Sequence, residues 1–175
     1  MSGHNKWSQI KRQKEKTDGQ KSKIFSKYAR LITLESKKSN GASSPSLQVV
    51  IENAKKENVP KDVIDRAIKK GTESGGEALE TITYEAYGPG GCAIIIEALT
   101  SSKNKVAQEI KHILSKNELS LATIGSATWA FRRENMRWVP NVTVELSDTD
   151  LTLLDKLVGE LEDNDEVQEV FTNVE

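Results

Sequence analysis

The chain has 175 residues, 36 % of them hydrophobic and 29 % charged, with a net charge of −1 and one cysteine. That length can bury a core, but the low apolar and high charged shares imply a small core or a substantial exposed segment. A single cysteine excludes a disulfide framework, no run approaches the ~18–20 apolar residues of a membrane span, and the basic N-terminus lacks the apolar stretch of a secretory signal; a cytoplasmic protein without membrane contact is expected.

The near-neutral total conceals a split. The first 38 residues carry eleven Lys/Arg against three Asp/Glu, and the last 35 carry one against eleven. One end is built to meet a polyanion and the other repels one. Residues 1–20 have no helical apolar periodicity, with Trp7 and Ile10 as their only large apolar side chains, and read as a flexible basic tail. From about 22 to 38, Ile24, Phe25, Tyr28, Leu31 and Ile32 recur at helical spacing. The stretch SNGASSPS breaks the chain, and Ser44-Pro45 then caps a second helix with Leu47, Val50, Ile51 and Ala54 on one face. A third helix over 60–71 turns Val63, Ile64, Ala67 and Ile68 inward, with Gly71 as its stop. Residues 21–73 therefore read as a three-helix bundle.

After the linker TESGGEALE the apolar period falls from 3.6 to 2. Strands are expected at 82–87 and 92–98, joined by a turn at Gly88-Pro89-Gly90-Gly91. A helix over 102–116 follows, then strands at 127–132 and 138–146, with Pro140 placing part of the latter at an edge. Ser147 caps a helix carrying Leu151, Leu154, Val158 and Leu161, and 166–172 closes the chain as a strand. Residues 80–175 thus read as a ferredoxin-like βαββαβ sandwich with an extra strand at its start. The fold class is α+β.

Catalytic chemistry finds little support. His4 and His112 are far apart and Cys92 has no partner, so neither a metal site nor a nucleophile–base pair is expected, and no cofactor. Gly88–Gly91 could cradle a phosphate, but a strand follows it and the lysine of a P-loop is missing, which favours a hairpin turn. The acidic run EDNDE (162–166) lacks the ligand spacing of a calcium loop.

The cations differ in kind. Lys6, Lys11, Arg12, Lys14, Lys16, Lys21, Lys23, Lys27 and Arg30 crowd into the N-terminal segment, where phosphates would neutralise them with strongly salt-dependent binding. Trp7 among them offers a ring to stack on a base or to anchor the tail on the bundle. Lys55, Lys56, Lys61, Arg66, Lys69 and Lys70 form a weaker second set, of which Arg66, Lys69 and Lys70 complete the candidate nucleic-acid contact. No helix-turn-helix or RNP pattern accompanies them, so sequence-specific readout is not implied.

The opening Gly3-His4-Asn5-Lys6-Trp7 with Ile10-Lys11 resembles the GHSKWxxIK start of the YebC/PmpR family. NVPKDVIDRAIKKGT (58–72), TYEAYGPGG (83–91), GSATWAF (125–131) and two segments within 139–173 match further blocks of that family in order. The resemblance implies a non-enzymatic, DNA-binding transcriptional regulator. Its alternative is a translation factor that binds ribosomal RNA and helps ribosomes through proline-rich stretches. Longer members resemble three-domain proteins with an α/β domain inserted where this chain has only RRENMRW (132–138), so a reduced two-domain form is expected. The Gly-Gly-Asn-Leu-Gly usual after the first α/β helix is also altered, to Asn117-Glu-Leu-Ser-Leu-Ala.

Expected partners are therefore DNA or ribosomal RNA, with a ribosome as a further possibility, for a monomer or weak homodimer. A competing reading docks the basic tail on an acidic protein surface, including the acidic end of a second copy. An acylphosphatase-like enzyme would need a catalytic Arg and Asn in the 88–91 loop, which offers neither.

Overall fold

The computed structural model describes Trp7, residues 17–76 and residues 78–175. It falls into two compact units, a helical one ending at Glu80 and a sheet unit that begins at Thr81 and includes Trp7. Among the described residues no helix is long and apolar enough to cross a membrane.

In the helical unit, α1 (Asp18–Lys38) begins at a capping box. Thr17 Oγ1 accepts from the Gln20 N–H at 3.3 Å and Gln20 Oε1 accepts from the Thr17 N–H at 2.9 Å, satisfying two otherwise orphaned donors. The helix thus starts earlier than its apolar periodicity suggested, and residues 18–20, read as tail, are its first turn. Helix α2 (Pro45–Lys56) has the expected cap, with Ser44 Oγ accepting from the Leu47 N–H at 3.2 Å and Pro45 in the first turn. Helix α3 (Lys61–Thr72) follows from Pro60. Ile32, Leu47, Val50, Ala54, Val59, Ile64 and Ala67 form the buried core between them.

The direction of packing follows from three contacts. Thr33 Oγ1 donates to Ala67 O at 3.2 Å, Ser36 Oγ donates to Ile68 O at 2.7 Å, and Gly41 meets Thr72. The numbers rise together on both sides, so α1 and α3 run parallel, with α2 returning in the opposite direction. Gly71 is not the helix stop that its sequence position suggested. It lies inside the last turn of α3, buried where a Cβ would sit 2.6 Å from both Ser36 Cβ and Thr33 O. Close approach of two helix backbones requires glycine there, not a left-handed turn.

The sheet unit contains a three-stranded sheet in the order β1-β2-β5, formed by β1 (Glu80–Tyr87), β2 (Ala93–Thr100) and β5 (Val167–Thr172). The extra strand expected before the βαββαβ series is β1, which the structure places at the edge of this sheet. Strand β2 runs antiparallel to β5, with Ile95 opposite Phe171 and Glu97 opposite Glu169. Ile94, Ile96 and Ala98 face α4 (Lys103–Lys116) and α5 (Asp148–Glu162) in the main core, which also takes Val106, Ile110, Leu114, Leu154 and Leu161. Ala93 and Ile95 face the other way, against Ala127, Ala130, Phe131 and Phe171. A strand covered on both faces explains the unbroken apolar run AIII, and each such isoleucine contributes on the order of 1.5–3 kcal/mol of burial.

The α+β class is as the period change implied, but the middle strands are arranged differently. Strands β3 (Phe131–Glu134) and β4 (Arg137–Pro140) are short and pair with one another as a separate two-stranded ribbon. Asn135 and Met136, both at positive φ (50° and 64°), turn the ribbon in two residues, the geometry that suits a tight hairpin. Pro140 has no N–H to continue the ladder, and the N–H groups of Asn141 and Val142 both turn back to Ala130 O. Val144 instead makes a parallel bridge to Val174 near the C-terminus.

The ribbon is clasped to the sheet by charge. Glu97 and Glu169 stand directly opposite each other on neighbouring strands, a like-charged pair that repels. Arg133 reaches Glu97 at 2.9 Å and stacks 4.5 Å over Trp138, whose indole N–H donates to the same carboxylate at 3.0 Å. Arg137 pairs with Glu169. A double-mutant cycle on Arg133→Ala and Glu97→Ala, read by urea denaturation, is expected to give a coupling of about 1 kcal/mol, above the value of a solvent-exposed pair because Glu97 is mostly covered. A coupling near zero would show that the Arg133–Glu97 pair contributes nothing to holding the ribbon.

Candidate nucleic-acid interface

Helix spacing decides which of the expected cations are presented. Lys23, Lys27 and Arg30 are four and three residues apart and so share one face of α1. That face is not an open cationic surface: Lys27 is 9 % exposed and the other two are half-buried. All three have interaction partners. Lys21 is exposed. Lys6, Lys11, Arg12, Lys14 and Lys16 lie outside the described residues, as does His4.

Trp7 departs from both of its expected roles. It is 6 % exposed and belongs to the main core of the sheet unit, with Ala86, Ile94 and Leu154 among that cluster. A buried indole cannot stack on a base, and the bundle is not its anchor. Burial of so large an apolar ring is a packing contribution worth several times any surface contact.

The second basic set is exposed throughout, but it is not one patch. Because α2 returns antiparallel, Lys55 and Lys56 at its end and Lys61 at the start of α3 lie at one end of the bundle, while Lys69 and Lys70 lie at the other. Parallel packing of α1 and α3 brings to Lys69 and Lys70 a pair not singled out from the sequence, Lys37 and Lys38. Both pairs occupy last helical turns, where cations also offset the negative end of the macrodipole. The repeated Lys-Lys at the ends of all three helices was a visible signal of this. Lys38 holds Glu35 at 2.9 Å, and Arg66 holds Asp62 at 3.0 Å in a solvent-exposed pair of little energetic worth.

On the sheet unit the structure assembles a feature that spacing could not suggest. Glu85 in β1 is 5 % exposed, and its carboxylate accepts from the backbone N–H groups of Gly125 (2.6 Å), Ala127 (2.7 Å) and Thr128 (2.9 Å). Burial would raise its pKa, but these donors outweigh burial and hold the carboxyl below its ordinary value. The loop 122–130 is thereby fastened to β1. Two residues along, the Tyr87 hydroxyl donates to Ser126 O and accepts from the Trp129 indole N–H at 3.1 Å. Trp129 remains 60 % exposed, Tyr87 38 % and Ile124 92 %.

The glycine loop is a turn, as expected. The Gly88 N–H donates to Cys92 O at 2.8 Å, and Gly90 and Gly91 take positive φ (67° and 78°). Its surroundings disfavour an anion, since a Cβ on Gly90 would meet Leu146 and the Asp150 carboxylate. Burial pushes the Cys92 thiol up to about 11, far from the range of a reactive thiolate. Among the described residues no group of three or more His, Cys, Asp or Glu is arranged to hold a metal ion.

Residues 5–74 match the family description "TACO1/YebC protein N-terminal domain", and residues 79–136 and 133–174 match "TACO1/YebC second and third domain". The two latter segments meet at the β3–β4 turn. A "Probable transcriptional regulatory protein" of Petrotoga mobilis is 45 % identical over 177 residues, covering 98 % of this chain and 70 % of that one. A protein of the same description from Fervidobacterium nodosum is 37 % identical over 235 residues, covering 99 % of this chain and 93 % of its own length. That alignment is longer than this chain, so the relative has extra residues within the matched span. The crystal structure of a conserved hypothetical protein from Aquifex aeolicus is similar with a TM-score of 0.77 and 28 % identity, covering 97 % of this chain and 96 % of that one.

Proposed function

The chain belongs to the TACO1/YebC family, and on that premise we propose that it is a non-enzymatic regulatory protein that binds nucleic acid through its basic N-terminal third. The observation that carries this is the concentration of eleven cations against three acids in the first 38 residues, in a chain whose total charge is −1. Phosphates are the partner that such a segment neutralises with a gain from released counterions. The exposed Lys37, Lys38, Lys69 and Lys70 extend the same chemistry on the helical unit. Relatives named as transcriptional regulatory proteins support a regulatory role. Phosphate contacts carry no sequence information, so this reading covers DNA and ribosomal RNA alike, and with it action at a promoter or on a ribosome.

The burial of Trp7 decides how the test is built, because deleting the segment would also remove a core side chain. Lys6, Lys11, Arg12, Lys14 and Lys16 are instead replaced together by glutamine, with Trp7 kept. The slope of log affinity against log salt in a filter-binding titration is expected to fall by roughly 3.5–4.5 if all five meet phosphates. An unchanged slope and affinity would overturn the proposal. Crosslinking in cells followed by sequencing of the bound nucleic acid then separates promoter DNA from ribosomal RNA.

A further inference from the structure

We propose that Trp129 and Tyr87 form a stacking platform for unpaired nucleobases, a base-binding site on the sheet unit separate from the cationic N-terminal segment. The inference rests on the nucleic-acid reading above and adds to it a substrate class, single-stranded rather than duplex.

Three observations converge on this. The first is that the rings are fixed before any ligand arrives. The Trp129 indole N–H is held by the Tyr87 hydroxyl, that hydroxyl is held by Ser126 O, and the loop carrying both Ser126 and Trp129 is tied to β1 by three donors on Glu85. Ordering the rings therefore costs little on binding. The second is that the internal bonds occupy the polar ends of both side chains. Both residues stay exposed, Trp129 at 60 % and Tyr87 at 38 %, with the polar atoms of their side chains already engaged, which suits stacking on any base rather than hydrogen-bonded readout. The third is charge. In a chain with 26 Asp and Glu, residues 86–96 and 119–133, the two segments that meet at this pair, contain none, and their only formal charges are Arg132 and Arg133. A phosphodiester running beside the rings meets no carboxylate from either segment. Of the acids around these segments, Glu85 is buried and engaged by three N–H donors, Glu97 holds Arg133, Glu134 holds Arg132, and Asp150 lies beside Gly90 in the turn.

The test uses the full chain, with a fluorescein-labelled oligouridine and a duplex of equal length titrated by anisotropy. Trp129→Ala is expected to weaken binding of the single strand roughly 5- to 100-fold, the range for removing one stacked base, while leaving the salt slope unchanged and duplex binding within about twofold. Trp129→Phe keeps a ring face and is expected to stay within about threefold of the unsubstituted protein. Trp7 is buried and Trp138 half-buried, so acrylamide reports chiefly on Trp129, and oligouridine is expected to protect its fluorescence. This second measurement holds even if the alanine variant folds poorly. Single-strand affinity unaffected by Trp129→Ala, an equal loss on duplex, or quenching indifferent to oligouridine would each overturn the platform while leaving the regulatory reading in place. If the unsubstituted protein binds neither oligonucleotide at low salt, both fall together.

Discussion

Glu85→Ala is expected to destabilise the sheet unit by about 3–5 kcal/mol, the largest effect of any single substitution considered for this chain. The carboxylate is buried and accepts three backbone N–H groups, one of them from Ala127, which is fully buried. Hydrogen bonds to a charged acceptor contribute about 1.5–3 kcal/mol each, and a buried donor left unpaired costs about 1–3 kcal/mol, with the three sharing one acceptor and so not adding fully. Glu85→Gln keeps one carbonyl oxygen but turns an amide toward donors, so an intermediate loss of about 2 kcal/mol is expected. The loop 122–130 would detach first, taking Trp129 and the second face of the sheet with it. Urea denaturation followed by tryptophan fluorescence measures this; a loss below about 1 kcal/mol in the alanine variant would mean that the carboxylate is not what holds the loop.

The same group gives a pH dependence of defined sign. Burial pushes its pKa up, the three N–H donors push it down further, and the folded value lies below the unfolded one. The unfolded chain therefore binds the proton more readily, so the stabilisation is complete above the ordinary carboxyl range near 4.3 and is lost as pH falls through the lower folded value. Glu85→Gln should flatten the acid limb of the stability profile below about pH 4–5 and leave the neutral region parallel. An acid limb identical in the two proteins would remove Glu85 as its source.

Gly71→Ala is expected to destabilise the helical unit by about 2–3 kcal/mol, against the usual preference of helices for alanine. Alanine gains about 1 kcal/mol of intrinsic propensity over glycine in a helix interior. The added Cβ, however, would stand 2.6 Å from Ser36 Cβ and 2.6 Å from Thr33 O. A backbone carbonyl cannot swing aside, so α1 and α3 must separate, breaking the Thr33–Ala67 and Ser36–Ile68 hydrogen bonds that define their parallel packing. Overpacking wins over propensity. Gly159 in α5 is the internal control, since a Cβ there meets nothing within 4 Å. Gly159→Ala should stabilise the sheet unit by about 0.5–1 kcal/mol. Melting temperatures that moved the same way for both variants would refute the packing argument.

In the binding mode proposed above, tail and aromatic pair would divide the problem between two kinds of contact. Cations supply affinity and salt dependence without discriminating strands, whereas ring faces take only bases that are unpaired. The two segments that match the family's second and third domains meet at the β3–β4 ribbon. Its Arg133 and Arg137 are spent on Glu97 and Glu169 rather than offered to phosphates.

Sequence alone determined what depends on neighbours a few residues apart. The helix caps at Ser44 and Ser147, the change of apolar period after the linker and the glycine turn at 88–91 were all legible, because capping and turn geometry are set within three or four residues. The charge split was legible too, since it is a property of composition. Tertiary structure decided everything that joins distant residues. Trp7 sits in a core whose other members begin at Ala86, and the indole among cations that looked like a base contact is held as a core side chain instead. Glu85 reads as one polar residue in an alternating strand until the fold brings Gly125, Ala127 and Thr128 to it across about forty positions. Gly71 looked like a helix stop because a terminal glycine gives the same local pattern whether it turns the chain or admits a neighbour. Only the packed position of α1 distinguishes the two, for steric contact between backbones has no signature in the order of residues.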